Sequence, residues 1–271
     1  VSEDIWDGRT YMQYLALRTR PVQDLVAAIP EEFSPKIVYD LGCGTGNSTA
    51  LLEARFPGSR VMGLDTSHKM LEIARQTYPE VLFVMQDMMD LSAFPKADLL
   101  MANASLQWIQ DHTRLIPILK ASLKPGGMLA IQMPNNFHAP THQTIIHILK
   151  NKVEWMYILS HLKFGLLSKP LYDPRTYYDY FASAGFSQIT CWQTTYFHEM
   201  PSTRDIFQWV KGTALRPVFA RLDEKDQATF EALYLEAIKS QYESQANGNL
   251  IVPFQRLFIL GYQAEEDLAK G

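Results

Sequence analysis

From Lys36 onward the chain alternates short aliphatic or β-branched runs with stretches of helical periodicity, and this alternation leaves few ways to fold. Runs at 37–41, 60–65, 81–86, 97–102 and 128–133 read as strands, and stretches at 46–54, 67–77 and 113–123 read as the helices that cross between them. In the second helix Met70, Leu71, Ala74 and Tyr78 recur at helical spacing, which makes one apolar face for packing on a sheet. Strands joined through helices pair in parallel. An α/β fold is therefore expected, built on a doubly wound, mostly parallel sheet.

After the fifth run the alternation stops. A helical stretch covers 140–161, with Pro140 suited to its first turn, and another covers 174–184 before Gly185. A longer one runs over 202–245, broken near Arg216-Pro217. Aromatic-rich strands at 186–196 and 251–262 bring the sheet to seven, and an amphipathic helix covers 11–29. These helices are expected to form a cap over the strand ends, drawn from 1–30, 137–185 and 198–250 of a single domain spanning 1–271. One α/β unit of that length is unexceptional.

Charge limits the partners. Twenty-five Lys and Arg against twenty-nine Asp and Glu give a net charge of −4, and the cations are scattered singly rather than in a stripe that could follow phosphates. No nucleic-acid partner is expected. Two cysteines, Cys43 and Cys191, do not make a disulfide framework, which fits a reducing cytoplasm. The first thirty residues carry Glu3, Asp4, Asp7, Arg9, Arg18 and Arg20, and no uncharged apolar run reaches the ~20 residues of a membrane span. A cytoplasmic monomer without a membrane partner is the expectation.

The chemistry begins at Asp40-Leu41-Gly42-Cys43-Gly44-Thr45-Gly46, which follows the first strand and opens a helix. Its glycines permit a tight turn and close backbone approach, and the helix N-terminus offers N–H groups to a ligand. The spacing is not G-x-G-x-x-G, since Asn47 follows the third glycine. Asp40, two residues before the first glycine, would repel a pyrophosphate but suits a ligand carrying an ammonium and a sulfonium, the charge pattern of S-adenosylmethionine. Asp65 ends the second strand, where a carboxylate can accept both ribose hydroxyls of a nucleoside, and Asp87 follows the third, facing the adenine edge through its carboxylate or a neighbouring N–H. Either acid alone could instead be a helix cap, and Asp65 does precede Thr66-Ser67. Acids at successive strand ends beside a glycine turn favour the ligand.

Through these residues the chain resembles the class I S-adenosylmethionine-dependent methyltransferases, which implies a Rossmann-like sheet. Later blocks extend the likeness to the trans-aconitate 2-methyltransferase family: Ala102-Asn103-Ala104-Ser105-Leu106-Gln107-Trp108, Gln132-Met133-Pro134, Pro140-Thr141-His142, Thr194-Thr195-Tyr196 with His198, Met200-Pro201-Ser202, Leu215-Arg216-Pro217 and Arg256-Leu257-Phe258-Ile259. The pattern departs at about 150–173, where Trp155-Met156-Tyr157 and Ser168-Lys169-Pro170 stand in place of a more basic segment, so part of the acceptor wall differs. The resemblance implies methylation of a carboxylate of a small polycarboxylic acid, foremost trans-aconitate to its monomethyl ester. It leaves as alternatives another small carboxylic acid or a non-catalytic nucleotide-binding protein.

A carboxylate is ionised at neutral pH, so no general base is required and none is assigned. It must instead be stripped of water and aimed at the methyl group. Arg216 and Arg256 are the expected carboxylate forks, with Tyr196 and His138 as hydrogen-bonding neighbours. Trp108, Phe137 and Tyr11 are candidates to wall the sulfonium, with Trp108 the best of them, although core packing is the more common fate of a Trp. Arg18 is assigned to the methionine carboxylate, with Arg20 left open to either ligand. Asn103 completes the cofactor set of Asp40, Gly42, Gly44, Gly46, Asp65, Asp87, Arg18 and Tyr11. His138 and His142 have Pro140 between them and no third ligand, so no metal is expected. Cys43 has no His beside it and reads as structural.

Overall fold

The computed structural model describes residues 8–162, 167 and 171–264, with 8–16 and 18 described by their backbone alone. The chain divides into two compact units, one of Val1–Met133, Tyr172–Gln193 and Leu257–Gly271, the other of Pro134–Leu171 and Thr194–Arg256.

The first unit opens with α1 (Gly8–Ala27) and continues β1 (Ile37–Leu41), α2 (Asn47–Arg55), β2 (Arg60–Asp65), α3 (His68–Thr77), β3 (Leu82–Met85), β4 (Ala97–Asn103), α4 (His112–Ala121) and β5 (Leu123–Pro134). Strands β1 and β2, β2 and β3, β1 and β4, and β4 and β5 pair in parallel. Buried positions dominate β4 and β5, as expected of strands enclosed on both faces. Leu99, Leu100, Met101, Leu129, Ala130 and Ile131 are fully buried there. Capping sets two of the helices, with Ser67 accepting the Met70 N–H at α3 and Asp111 accepting the Arg114 N–H at α4.

Strand β5 starts earlier than the expected 128, because Ala97 already faces Leu123 before the register shifts to Leu99 opposite Met128. The Pro125-Gly126-Gly127 sequence that looks like a connection is absorbed as an irregularity inside the strand, with Gly126 at φ 72°.

Two later strands complete the seven-stranded sheet, β6 (Phe186–Met200) and β7 (Leu250–Gln263), in the order β3-β2-β1-β4-β5-β7-β6. Inside the first unit Trp192 stacks on Phe258 with ring centres 4.7 Å apart, and α7 (Pro174–Ser183) packs Phe181 against Phe186.

The second unit is mostly helical. The stretch expected as one helix over 140–161 is two, α5 (Pro140–Asn151) and α6 (Met156–His161), interrupted where Lys152 turns extended at φ −108° and ψ 108°. The expected 202–245 stretch is three, α8 (Thr203–Lys211), α9 (Arg216–Phe219) and α10 (Glu224–Ile238), the last restarted by Asp223 as its cap. Phe207, Phe230, Tyr234 and Trp155 fill the interior, where the Tyr234 hydroxyl donates to the Thr141 carbonyl over 3.2 Å. Among the described residues no helix is long and apolar enough to cross a membrane.

Candidate functional site

The turn after β1 is held from three sides. The N–H groups of Gly42 and Cys43 donate to the Leu64 carbonyl, and Gly46 N–H donates to Cys43, which closes the loop onto β2. Beneath it lies Asp40, fully buried, with Oδ2 accepting the Ser48 and Thr49 hydroxyls over 2.6 and 2.7 Å. Burial pushes this carboxyl up to about 6 against the two hydroxyls that hold it down, and the Asp65 charge adds to the rise. Asp40 thus fastens α2 to the strand end, a task its sequence position did not reveal. Its other oxygen, Oδ1, is buried without a hydrogen-bond partner.

The glycines differ in what they require. A Cβ on Gly42 would lie 2.4 Å from Cβ of Ser105, whereas a Cβ on Gly44 would meet nothing within 4 Å. Both have positive φ, 71° and 54°. Gly42 is therefore demanded by packing inside the protein, and Gly44 presents an open backbone face. Gly46 lies at the N-terminus of α2 against Phe83. Cys43 between them is 5% exposed, and burial followed by the charges of Asp40 and Asp65 raises its thiol far above the ordinary range, so it is no nucleophile.

Asp65 links the turn to the next strand end. Its Oδ2 accepts the Gly44 N–H at 2.8 Å and its Oδ1 accepts the Ser67 N–H at 2.8 Å. Each oxygen retains a second lone pair. Asp87 is exposed and takes the Met89 N–H at 2.9 Å; neither acid is a helix cap, since Ser67 caps α3 and no helix lies between Asp87 and β4.

At the end of β4, Asn103 pairs in register with Gln132, and its Oδ1 is buried without a partner. Ala104 follows at φ 51° and sends its N–H to the Gln132 carbonyl. Ser105 donates to Leu41 O over 2.6 Å, tying this loop to the glycine turn. Gln107 Oε1 and Gln132 Nε2 are also buried without partners, so three carboxamides with open valences stand at the carboxyl ends of β4 and β5. Trp108 is 48% exposed rather than in the core. Tyr11 and the Arg18 side chain lie outside the described side chains. Arg20 is exposed and paired with Asp24 at 2.8 Å.

The matching methyltransferase domain family covers residues 39–131, the span of this turn and these strand ends. Over the whole chain the likeness is narrower. A trans-aconitate 2-methyltransferase of Shigella dysenteriae serotype 1 is 40% identical over 260 residues, covering 96% of this chain and 99% of that relative. The protein of the same name from Methylobacterium nodulans is 41% identical over 255 residues, covering 94% and 97%. The chain belongs to the trans-aconitate 2-methyltransferase family. Solved structures share the fold at low identity: the Bacillus subtilis YcgJ protein at TM-score 0.58 and 14% identity, covering 92% of this chain and 100% of that one. Phosphoethanolamine N-methyltransferase 2 of Haemonchus contortus, in complex with S-adenosyl-L-methionine, gives 0.53 and 15%, covering 93% and 53%.

In this methyltransferase the remaining candidates lie mostly in the second unit. Arg256 is partly buried on β7, its guanidinium carbon 6.0 Å from the centre of the Phe254 ring. His198 packs on the same ring at 4.9 Å, with Trp209 at 5.4 Å and Tyr196 stacked at 6.4 Å. His142 is 3% exposed with Nδ1 3.0 Å from the Thr141 hydroxyl. Burial, then the Arg256 charge, lowers His142 to about 3 and His198 to about 4. Both are neutral at pH 7. The structure therefore gathers Arg256 and Tyr196 with two histidines that sequence reasoning left without a role. Period-two alternation places Tyr196, His198 and Met200 on one face of β6, and that was the available signal. Arg216, by contrast, is exposed at the start of α9, and His138 is exposed with its ring edge-on to Phe137 at 5.0 Å.

Proposed function

We propose that the chain transfers a methyl group from S-adenosylmethionine to a carboxylate oxygen of trans-aconitate, giving the monomethyl ester. The observation that carries the donor half is the open backbone face of Gly44, held by Asp65, in one unit with the buried acceptor atoms Asp40 Oδ1 and Asn103 Oδ1. Unfilled acceptors of that kind suit a cationic ligand rich in N–H groups and repel phosphate. The donor residues thus fit S-adenosylmethionine, which when bound supplies an electrophilic methyl group on its sulfonium. The acceptor is taken from the full-length relatives' name.

In this reading Gly42, Gly44 and Gly46 shape the backbone that meets the donor. Asp65 accepts from the ribose hydroxyls through the lone pairs left by Gly44 and Ser67, and Asp87 takes the adenine edge. Asp40 and Asn103 face the ammonium end, with Arg18 on the methionine carboxylate and Tyr11 and Trp108 against the sulfonium. Arg256 forks onto a spare carboxylate of the acceptor, aided by Tyr196, while Arg216 and His138 supply solvent-side contacts. No residue removes a proton, because the acceptor oxygen is already anionic. What the protein supplies is orientation and the exclusion of water from a strongly hydrated nucleophile. The two widely separated cysteines support a cytoplasmic enzyme, and a monomer is the simplest assembly for it.

The test is methyl transfer to a panel of citrate, isocitrate and the two aconitate isomers, with the ester identified by mass spectrometry. Preferential esterification of trans-aconitate is expected. Transfer to another acid in the panel would move the acceptor, and no transfer to any carboxylate would overturn the reading.

A further inference from the structure

His198 is 3% exposed, yet its Nε2 is buried without a hydrogen-bond partner. A buried polar atom left in that state costs roughly 1–3 kcal/mol, and a bound ligand is one partner that removes the cost. The imidazole cannot turn away easily, being in contact with Tyr196, Trp209 and Phe254 together. The ring that supports it, Phe254, also lies under the Arg256 guanidinium. A fixed cation and a fixed imidazole edge are thus set on one aromatic support.

We propose that His198 is a second recognition group for the acceptor, its Nε2–H donating to a carboxylate of the polyacid that Arg256 also binds. This inference rests on the functional reading above and adds to it a residue that sets specificity. A polyacid anion brings only acceptor atoms, so an Nε2 facing it must carry the proton. Burial, and after it the Arg256 charge, keeps that imidazole neutral. One charge and one neutral donor then distinguish a polycarboxylate, which can satisfy both, from a monocarboxylate, which satisfies only the guanidinium. An amino acid is disfavoured as well, because its ammonium would approach the Arg256 charge.

The test compares His198→Leu, which retains bulk but no donor, with His198→Gln, whose amide N–H reaches about as far as Nε2. Each is assayed on trans-aconitate and on a dicarboxylate analogue lacking one carboxylate, alongside S-adenosylhomocysteine affinity and Tm. We expect His198→Leu to raise the KM for trans-aconitate at least 10-fold, to change the analogue less than 3-fold, and to leave S-adenosylhomocysteine affinity unaltered. His198→Gln should recover most of the loss. Unchanged trans-aconitate kinetics in a folded His198→Leu protein would overturn the assignment. So would equal impairment of both variants on both acceptors with a lowered Tm, which would make His198 a packing residue only. Should the parent esterify a different polyacid, the comparison is run on that acid and its truncated analogue. A parent that esterifies no carboxylate overturns the functional reading and this inference together.

Discussion

The Gly44 N–H donates to Asp65 Oδ2 over 2.8 Å, so the one glycine of the turn with open space before it is locked to the acid at the end of the neighbouring strand. Turn and carboxylate therefore act as one element: moving the acid also moves the backbone that a ligand would meet.

Asp65→Ala removes the anchor of the turn together with the proposed ribose acceptor. S-adenosylhomocysteine affinity should fall by about 1.5–3 kcal/mol, as for lost hydrogen bonds to a charged group. Calorimetric titration of the folded variant measures this, and unaltered affinity would take Asp65 out of the site.

Gly42→Ala and Gly44→Ala should separate folding from binding. Both place a side chain at positive φ, which costs roughly 1–2 kcal/mol, but only Gly42→Ala also drives a Cβ into Ser105. We expect Gly42→Ala to fold poorly, with Tm falling by more than in Gly44→Ala. Gly44→Ala should remain folded and lose cofactor affinity. Equal thermal shifts in the two variants would show that the Ser105 contact does not matter.

Arg256→Lys keeps the charge but not the fork, and should cost about 2 kcal/mol in kcat/KM for the acceptor with S-adenosylhomocysteine binding unchanged. Arg216→Ala, at an exposed position, should cost less. Steady-state kinetics on trans-aconitate decide the order, and a larger loss at Arg216 would reverse the assignment.

Acid should destabilise the fold. His142 and His198 are lowered from 6.5 to about 3 and about 4, so between those values the unfolded chain binds more protons than the native one. Their stabilising effect is complete above about pH 6.5 and is lost as pH falls, by about 2 kcal/mol for His142 between pH 6.5 and 5. Asp40, raised to about 6, acts in the opposite sense, losing stability as pH rises from about 4 towards 6. Two histidines outweigh one carboxyl, so Tm should drop on acidification below pH 6.5. Scanning calorimetry across pH 7.5 to 5 measures the slope, which His142→Gln should flatten.

Catalysis should be level over a different range. With His142 and His198 neutral and the acceptor ionised, kcat should show no acid limb between about pH 6.5 and 8.5. A tenfold fall per pH unit in that window, abolished in a His variant, would reveal a base.

The strands, the glycine turn and the acid bonded to it were legible in the sequence because each depends on local pattern. Apolar runs mark strands buried on both faces, alternating glycines mark a turn with positive φ, and Asp65 ends its strand. Capping chemistry was local too, yet the helix breaks were missed at Lys152 and at residues 220–223, where no proline or glycine announces the change. Tertiary structure alone decided that Asp40 holds Ser48 and Thr49 through one oxygen while its other oxygen stays buried without a partner. The meeting of Arg256 with His198 and His142 was likewise beyond reach. It requires β7 to lie beside β6 in a sheet order that departs from chain order, and it requires Phe254 to carry both a guanidinium and an imidazole. Side-chain periodicity assigns a residue to a face, but the neighbour across that face is set by the packing of segments far apart in the chain.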